Sequence, residues 1–218
     1  MSRGFIFDMN GTMIDDMSYH TKAWFDILNN DLQANMSWDA VKEQMYGKNQ
    51  ELLLRVFGRE RFSEEEMEVL SLEKEKRYQA AYQPELRLID GLDSFLERSQ
   101  NAGVKLSIGS AAIKFNVDFV LDGLNIRHYF DVVVCADDVA ISKPDPDTFL
   151  KAAAAMELQT ANCIVFEDAP KGVEAAHNAG MKAVVLTTMH NEEEFQQYTN
   201  VLMFVKNYHD VRLHQLLA

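Results

Sequence analysis

Phe5-Ile6-Phe7-Asp8-Met9-Asn10-Gly11-Thr12 runs from an unbroken apolar segment into a carboxylate and then a glycine. A short run that is apolar on both faces suits a strand buried within a parallel sheet. Such a strand delivers Asp8 to its C-terminal tip, and Gly11 supplies the freedom to turn the chain away. Ligands of open parallel sheets bind beyond these tips, so Asp8 is a candidate nucleophile. Asn10, two residues on, is an amide and can neither give nor take a proton at neutral pH.

Working outward, short β-branched or aromatic runs at 4–7, 104–108, 131–135, 163–166, 183–186 and 202–205 alternate with helical patterns. That alternation predicts βαβ units and a parallel sheet. Asp90 is placed to cap a helix bearing Leu92, Phe95 and Leu96 that stops near Gly103, and a helix over 172–179 ends at Gly180. The interval 16–84 breaks the alternation, with helical signals only. Tyr19, Ala23, Trp24, Ile27 and Leu28 share a helical face; Val41 and Met45 are four apart; residues 50–57 end at Gly58. Ser63 with Glu66 forms a capping box opening a helix toward Tyr82. The expected fold is therefore α/β: a doubly wound, Rossmann-like parallel-sheet core formed by residues 1–15 and 85–218, with an α-helical cap inserted at 16–84.

The composition is that of a folded chain, with 218 residues and 47% hydrophobic content. A net charge of −13 argues against nucleic acid or an anionic membrane as partner. Any phosphorylated substrate then needs locally placed cations or a metal. Cys135 and Cys163 each sit in an apolar run, which reads as two inert core thiols in a reducing compartment. Ser2 and Arg3 lead straight into the first strand, and no apolar stretch reaches spanning length. A cytoplasmic monomer acting on a small molecule is expected.

The polar residues gather at one edge of this scaffold. Asp8 ends the first strand, Ser110 follows Ile108-Gly109, Glu167-Asp168 follows the strand at 163–166, and Lys143 lies in Ser142-Lys143-Pro144-Asp145-Pro146. Asp8 and Asp168 offer hard oxygen ligands to Mg²⁺, which takes a few carboxylates, several waters and phosphate oxygens. Ser110 and Lys143 suit a phosphoryl group, one by hydrogen bond and one by charge, and Lys143 also suits Asp8 as a counter-ion. Taken singly, each is equally well a turn, cap or surface residue. The remaining histidines, His128, His177, His190, His209 and His214, show no metal-ligand spacing.

Four segments in this order, Asp8-Met9-Asn10-Gly11-Thr12, Ser110 after Gly109, Lys143 before Pro144, and Glu167-Asp168-Ala169-Pro170-Lys171-Gly172, resemble the haloacid dehalogenase superfamily. Asp15-Asp16-Met17-Ser18-Tyr19-His20-Thr21-Lys22-Ala23-Trp24 resembles the cap entry of its β-phosphoglucomutase-like phosphatases. The resemblance spans nearly the whole chain. It implies that Asp8 attacks phosphorus to form an aspartyl-phosphate. It also implies a Mg²⁺ cofactor held by Asp8, the backbone carbonyl of Asn10, Asp168 and Glu167. The proton-transfer role that the resemblance assigns to a second aspartate falls on Asn10. An amide forfeits that role, at a cost of typically ~10²–10⁴ in rate.

Three readings of Asn10 stay open: a deliberate replacement of Asp, a specialised enzyme, or a binding protein on an enzyme scaffold. A specialised enzyme would favour leaving groups that are weak bases, or borrow a base from the cap, where His20 is the candidate; otherwise His20 is a packing residue. In the cap, Tyr46-Gly47-Lys48-Asn49-Gln50 resembles a substrate loop in which sugar-phosphate mutases carry an arginine, and Gln50 takes that place. Lys48 or the lysines of Glu73-Lys74-Glu75-Lys76 could compensate, although that run reads more simply as a solvated helix face. Trp24 could stack on a sugar but lies in an apolar stripe that favours core packing. The function expected is Mg²⁺-dependent hydrolysis of a small phosphorylated metabolite. The alternatives are an impaired metabolite-binding or regulatory protein, and a sugar-phosphate mutase.

Overall fold

In a computed structural model of the chain, which describes residues 3–217, the described residues form two compact units. One comprises the segment up to Asp15 and the chain from Arg87 onward; the other is Asp16–Leu86.

The first unit is built on a six-stranded sheet of β1 (Gly4–Phe7), β2 (Lys105–Gly109), β3 (Val132–Val134), β4 (Cys163–Glu167), β5 (Lys182–Leu186) and β6 (Val201–Val205). Every pairing is parallel and the order is β3-β2-β1-β4-β5-β6. The helices of this unit are α5 (Leu92–Asn101), α6 (Lys114–Gly123), α7 (Asp147–Ala155) and α8 (Pro170–Asn178). β1 is central, hydrogen-bonded to β2 on one side and β4 on the other, which is why its Phe5, Ile6 and Phe7 are all fully buried.

Strand periodicity sorts those side chains to opposite faces. Phe5 and Phe7 meet Phe95 of α5, Phe166 and Tyr208, with Phe7 stacked on Phe166 at 4.6 Å between ring centroids. Ile6 faces the other way, into a cluster with Phe149, Ala152, Val165, Val173 and Ala176 beneath α7 and α8. Truncating one of these rings to alanine would cost ~3–5 kcal/mol. The strand order reverses between β1 and β4, and the C-terminal ends of these two strands carry Asp8 and Glu167-Asp168.

The second unit contains α1 (Met17–Asp26), α2 (Trp38–Lys42), α3 (Asn49–Phe57) and α4 (Glu64–Tyr82). Trp24, Ile27, Leu28, Val41, Leu52, Leu53 and Met67 make its apolar core. After α1 the chain widens into a π-turn over Ile27–Asp31, with the Leu32 N–H donating to the Ile27 carbonyl at 2.9 Å. α4 begins with the full capping box: Glu66 N–H donates to Ser63 Oγ at 3.2 Å and Ser63 N–H to Glu66 Oε2 at 2.8 Å.

One local expectation is corrected, and one alternative is excluded. Asp90 does not cap α5; Gly91 holds that position at φ +82°, a left-handed conformation that glycine adopts without a Cβ penalty. Ser110 does not cap α6, whose N-cap is Ile113.

Among the described residues no helix is long and apolar enough to cross a membrane. Cys135 and Cys163 are buried free thiols, and burial pushes both up to about 11.

Candidate active site

Asp8 reaches the end of β1 because the Asp8 N–H is still paired to the Phe166 carbonyl at 2.9 Å, so the strand stays in the sheet up to the residue that must be fixed. The chain then folds sharply. The Met9 carbonyl accepts from Met13 N–H at 2.8 Å, Asn10 bridges to Ile14, and Gly11 sits at φ +78°. A side chain at Gly11 would collide with the Asp168 carboxylate, so the glycine serves close approach as well as backbone freedom.

Lys143 joins β1 to β4. Its Nζ donates to Asp8 Oδ1 at 2.6 Å and to Glu167 Oε1 at 2.8 Å, and it lies 4.7 Å from the centroid of the Phe149 ring. All three charged groups are buried: Lys143 is 8% exposed, Asp8 7% and Glu167 2%. Burial opposes the ammonium charge, yet the carboxylates of Asp8 and Glu167 outweigh it and hold Lys143 above the ordinary lysine range. The pair therefore sets a fixed cation beside the Asp8 carboxylate.

Glu167 is held at its other oxygen by the backbone N–H groups of Asp168 and Ala169, at 2.8 and 2.7 Å. Gly172 in the first turns of α8 leaves room for this; a Cβ there would overlap the Glu167 carboxylate.

Asp168 is oriented by Thr12, whose hydroxyl donates to Oδ1 at 3.3 Å. Burial pushes the Asp168 carboxyl well up, the charges of Glu167 and Asp8 push it further, and Lys143 with Thr12 only partly offset them. Three carboxylates against one ammonium leave a local excess of negative charge. Among the described residues no group of three or more His, Cys, Asp or Glu side chains is arranged to hold a metal. The donor set still fits a hard cation that needs few protein ligands, since Asp8, Asp168 and a backbone carbonyl lie on adjoining segments and the surplus charge calls for a counter-ion.

Ser110 follows β2 at the same sheet edge, 1% exposed, its Oγ accepting from Ala112 N–H at 3.1 Å rather than joining the acid–lysine group. Residues not singled out in the sequence support the site. Tyr208 is fully buried and donates to the Thr12 carbonyl at 3.0 Å, and Thr188 donates to the Gly11 carbonyl at 2.6 Å. The Gly-Thr pair after Asn10 is the only hint of Thr12 that the sequence holds, while Tyr208 carries none.

The cap residues lie in the second unit. Trp24 is 1% exposed in its apolar core and offers no face to a ligand. Gly47 and Lys48 are half-buried, while Gln50 and Lys76 are exposed. The loop before α3 is fixed by Arg55, which donates to the carbonyls of Gln44 and Tyr46 at 2.8 Å each, and by Glu51, which accepts from Lys48 N–H at 3.0 Å. The expectation of a solvated face at 73–76 is corrected: Lys74 and Glu75 are 2% and 3% exposed. Helical spacing places Ser71, Lys74, Glu75, Tyr78 and Tyr82 on the buried stripe of α4, where His20 and Asp16 meet them.

The sequence matches the haloacid dehalogenase-like hydrolase family over residues 5–186. It is 33% identical over 192 residues to the fructose-1-phosphate phosphatase YqaB of Escherichia coli strain K12, covering 83% of this chain and 94% of that one. It is also 33% identical over 188 residues to the β-phosphoglucomutase of Bacillus subtilis strain 168, covering 82% of this chain and 80% of that one. The structure superposes on the β-phosphoglucomutase of Clostridium difficile with a TM-score of 0.85 at 26% identity, covering 100% of this chain and 97% of that one.

Proposed function

The chain belongs to the haloacid dehalogenase-like hydrolase family and is an enzyme of the phosphatase and phosphomutase type; on that premise we propose that it hydrolyses a small, sugar-phosphate-like metabolite through an aspartyl-phosphate on Asp8. The observation that carries this reading is the buried Asp8 carboxylate held 2.6 Å from the Lys143 ammonium at the point where strand order reverses. An oxygen of Asp8 attacks phosphorus as the bond to the leaving oxygen breaks. Water then attacks the same phosphorus, freeing inorganic phosphate and restoring the carboxylate.

Asp8, Asp168 and the Asn10 carbonyl would hold Mg²⁺, which supplies charge stabilisation to the transferring phosphoryl group when bound. Glu167 spends both oxygens on Lys143 and the backbone, so it is assigned to positioning Lys143 more than to the metal. Lys143 balances charge on the phosphoryl oxygens, and Ser110 donates a hydrogen bond to them. Asn10 keeps its backbone role and lacks the proton-transfer role. In the cap, Lys48 and Gln50 are assigned to recognition of the substrate's remainder, with Gly47 allowing the turn; a neutral Gln50 would hold a second phosphate poorly, which favours hydrolysis over mutase action.

Asn10 also favours a second reading, a phosphometabolite-binding or regulatory protein. Phosphate release with Mg²⁺ from phosphate esters, acyl phosphates and pyrophosphate, compared between this chain and Asn10→Asp, separates the two. Turnover by the unaltered chain on any of them supports the hydrolase. Turnover by Asn10→Asp alone, with tight binding by the unaltered chain, assigns the second.

A further inference from the structure

The cap unit contains a buried polar chain that the proposed chemistry does not use. His20 on α1 places Nε2 3.2 Å from Asp16 Oδ2 and Nδ1 2.6 Å from Lys74 Nζ on α4. Lys74 Nζ donates to Glu75 Oε1 and Oε2 at 3.0 and 3.1 Å, and Glu75 Oε1 accepts from Asn49 Nδ2 at 2.6 Å. Asn49 is the first residue of α3, directly after the loop that bears Gly47 and Lys48. Tyr78 donates to Asp16 Oδ2 at 2.5 Å and stacks on the His20 ring at 3.7 Å between centroids. The chain thus runs from the first residue of the unit to the start of α3.

Its hydrogen-bond directions are determined by chemistry. A lysine ammonium only donates, so Nδ1 of His20 must accept, and the ring proton must sit on Nε2 and point to Asp16. His20 is then neutral. A second ring proton would sit on Nδ1, which could no longer accept from Lys74. The groups facing the ring include Asp16, the N-cap of its own helix, and Lys74, Glu75 and Tyr78 from α4; Glu75 Oε2 lies 3.8 Å from Nδ1 and can accept from it once it is protonated. Drawing Glu75 toward His20 takes Oε1 away from Asn49. Burial also pulls the Lys74 ammonium below the ordinary lysine range, against the opposing charges of Glu75 and Asp16.

We propose that Asp16, His20, Lys74, Glu75 and Asn49 form a positioning relay for the loop at residues 46–50, closed when His20 is neutral and opened when it takes a second proton. That the loop recognises substrate rests on the function proposed above; the relay itself does not. Amide exchange at residues 46–50, corrected for intrinsic rates, should be compared at about pH 8 and about pH 5. The wild type should lose roughly tenfold or more of its protection at the lower pH, the size expected for losing one charge-assisted hydrogen bond. His20→Gln, which takes up no proton, should show no such change, and Asn49→Ala should be poorly protected at both pH values.

Imidazole ¹⁵N shifts of the wild type should place the His20 proton on Nε2 at the higher pH. A proton on Nδ1 there, or wild-type protection that does not change with pH, overturns the relay, and neither result needs a variant to fold. In turnover, His20→Gln should raise KM more than it lowers kcat. If the chain turns nothing over, the exchange and tautomer readings still decide the relay, so its failure and that of the hydrolase reading are told apart.

Discussion

Replacing Lys143 with methionine removes a cation and keeps most of the side chain's volume. The ammonium is the shared partner of Asp8 at 2.6 Å and Glu167 at 2.8 Å, and all three groups are buried. Removing one partner of a buried pair costs ~3–5 kcal/mol, because the other charge is left uncompensated. Here two carboxylates lose the same partner, so the upper end, ~5 kcal/mol at neutral pH, is expected. In a unit of this size that lowers Tm by about 10–20 °C.

The pH dependence gives the sharper test. In the wild type the Lys143 pKa is raised above its unfolded value, so its contribution is fully present below the ordinary lysine pKa of ~10.5 and is lost as pH rises through the folded value. In the variant the orphaned carboxylates bind protons more tightly folded than unfolded. The deficit should therefore shrink as pH falls from 7 toward the carboxylate range, and the alkaline loss should be weaker. Urea unfolding monitored across pH measures both. A variant within about 1 kcal/mol of wild type at neutral pH, with an unchanged pH profile, would refute the assignment of Lys143 as the counter-ion of this site.

Asp8→Asn should abolish phosphate release and any acid-stable label transfer to the protein; turnover at the wild-type rate would remove the covalent mechanism. Gly172→Ala should cost ~1–3 kcal/mol by urea unfolding and cut turnover, because its methyl overlaps the Glu167 carboxylate that anchors Lys143. Ser63→Ala should lower stability by ~1 kcal/mol through the lost cap of α4 without touching kcat, a split that stability and rate measurements resolve together. Asn10→Asp should speed hydrolysis by ~10²–10⁴ for alkyl phosphates and by much less for acyl phosphates, as steady-state phosphate release across a leaving-group series would report.

The sheet was legible because its strands are buried on both faces and therefore read as apolar runs; each predicted strand lies within one residue of the observed one at either end. The helix stops at Gly58 and Gly180 and the Ser63 cap were legible for the same local reason, that their conformations favour particular residues. Asp90 misled because it has a capping side chain, while the turn into α5 needed the positive φ of Gly91. The contact between Lys143 and Asp8 spans 135 positions and joins the β3–α7 connection to the end of β1, a pairing that only the folded sheet brings together. Tyr208 was not legible and Thr12 was legible only as the end of the Asp8-to-Thr12 motif, since a threonine or a tyrosine gains its contacts only when the sheet closes around it. In α4, a helix whose charged run looked solvated hides Lys74 and Glu75, because that face meets His20 of α1 and its N-cap Asp16.

Asn10 separates two contributions that an aspartate would combine. The backbone at this position bridges to Ile14 and is followed by Gly11 at φ +78°, so the turn is made by main-chain groups. On the proposed function, charge stabilisation would come from Lys143 and the surrounding donors, and such terms are each worth ~10²–10³ in rate. What the amide removes is proton transfer to the leaving oxygen and from the attacking water. That loss weighs most when the leaving oxygen is strongly basic and least when its charge is already delocalised. On the proposed function, a chain that keeps the nucleophile and its counter-ion and gives up the acid would shift selectivity from cap contacts toward the intrinsic reactivity of the phosphoryl donor.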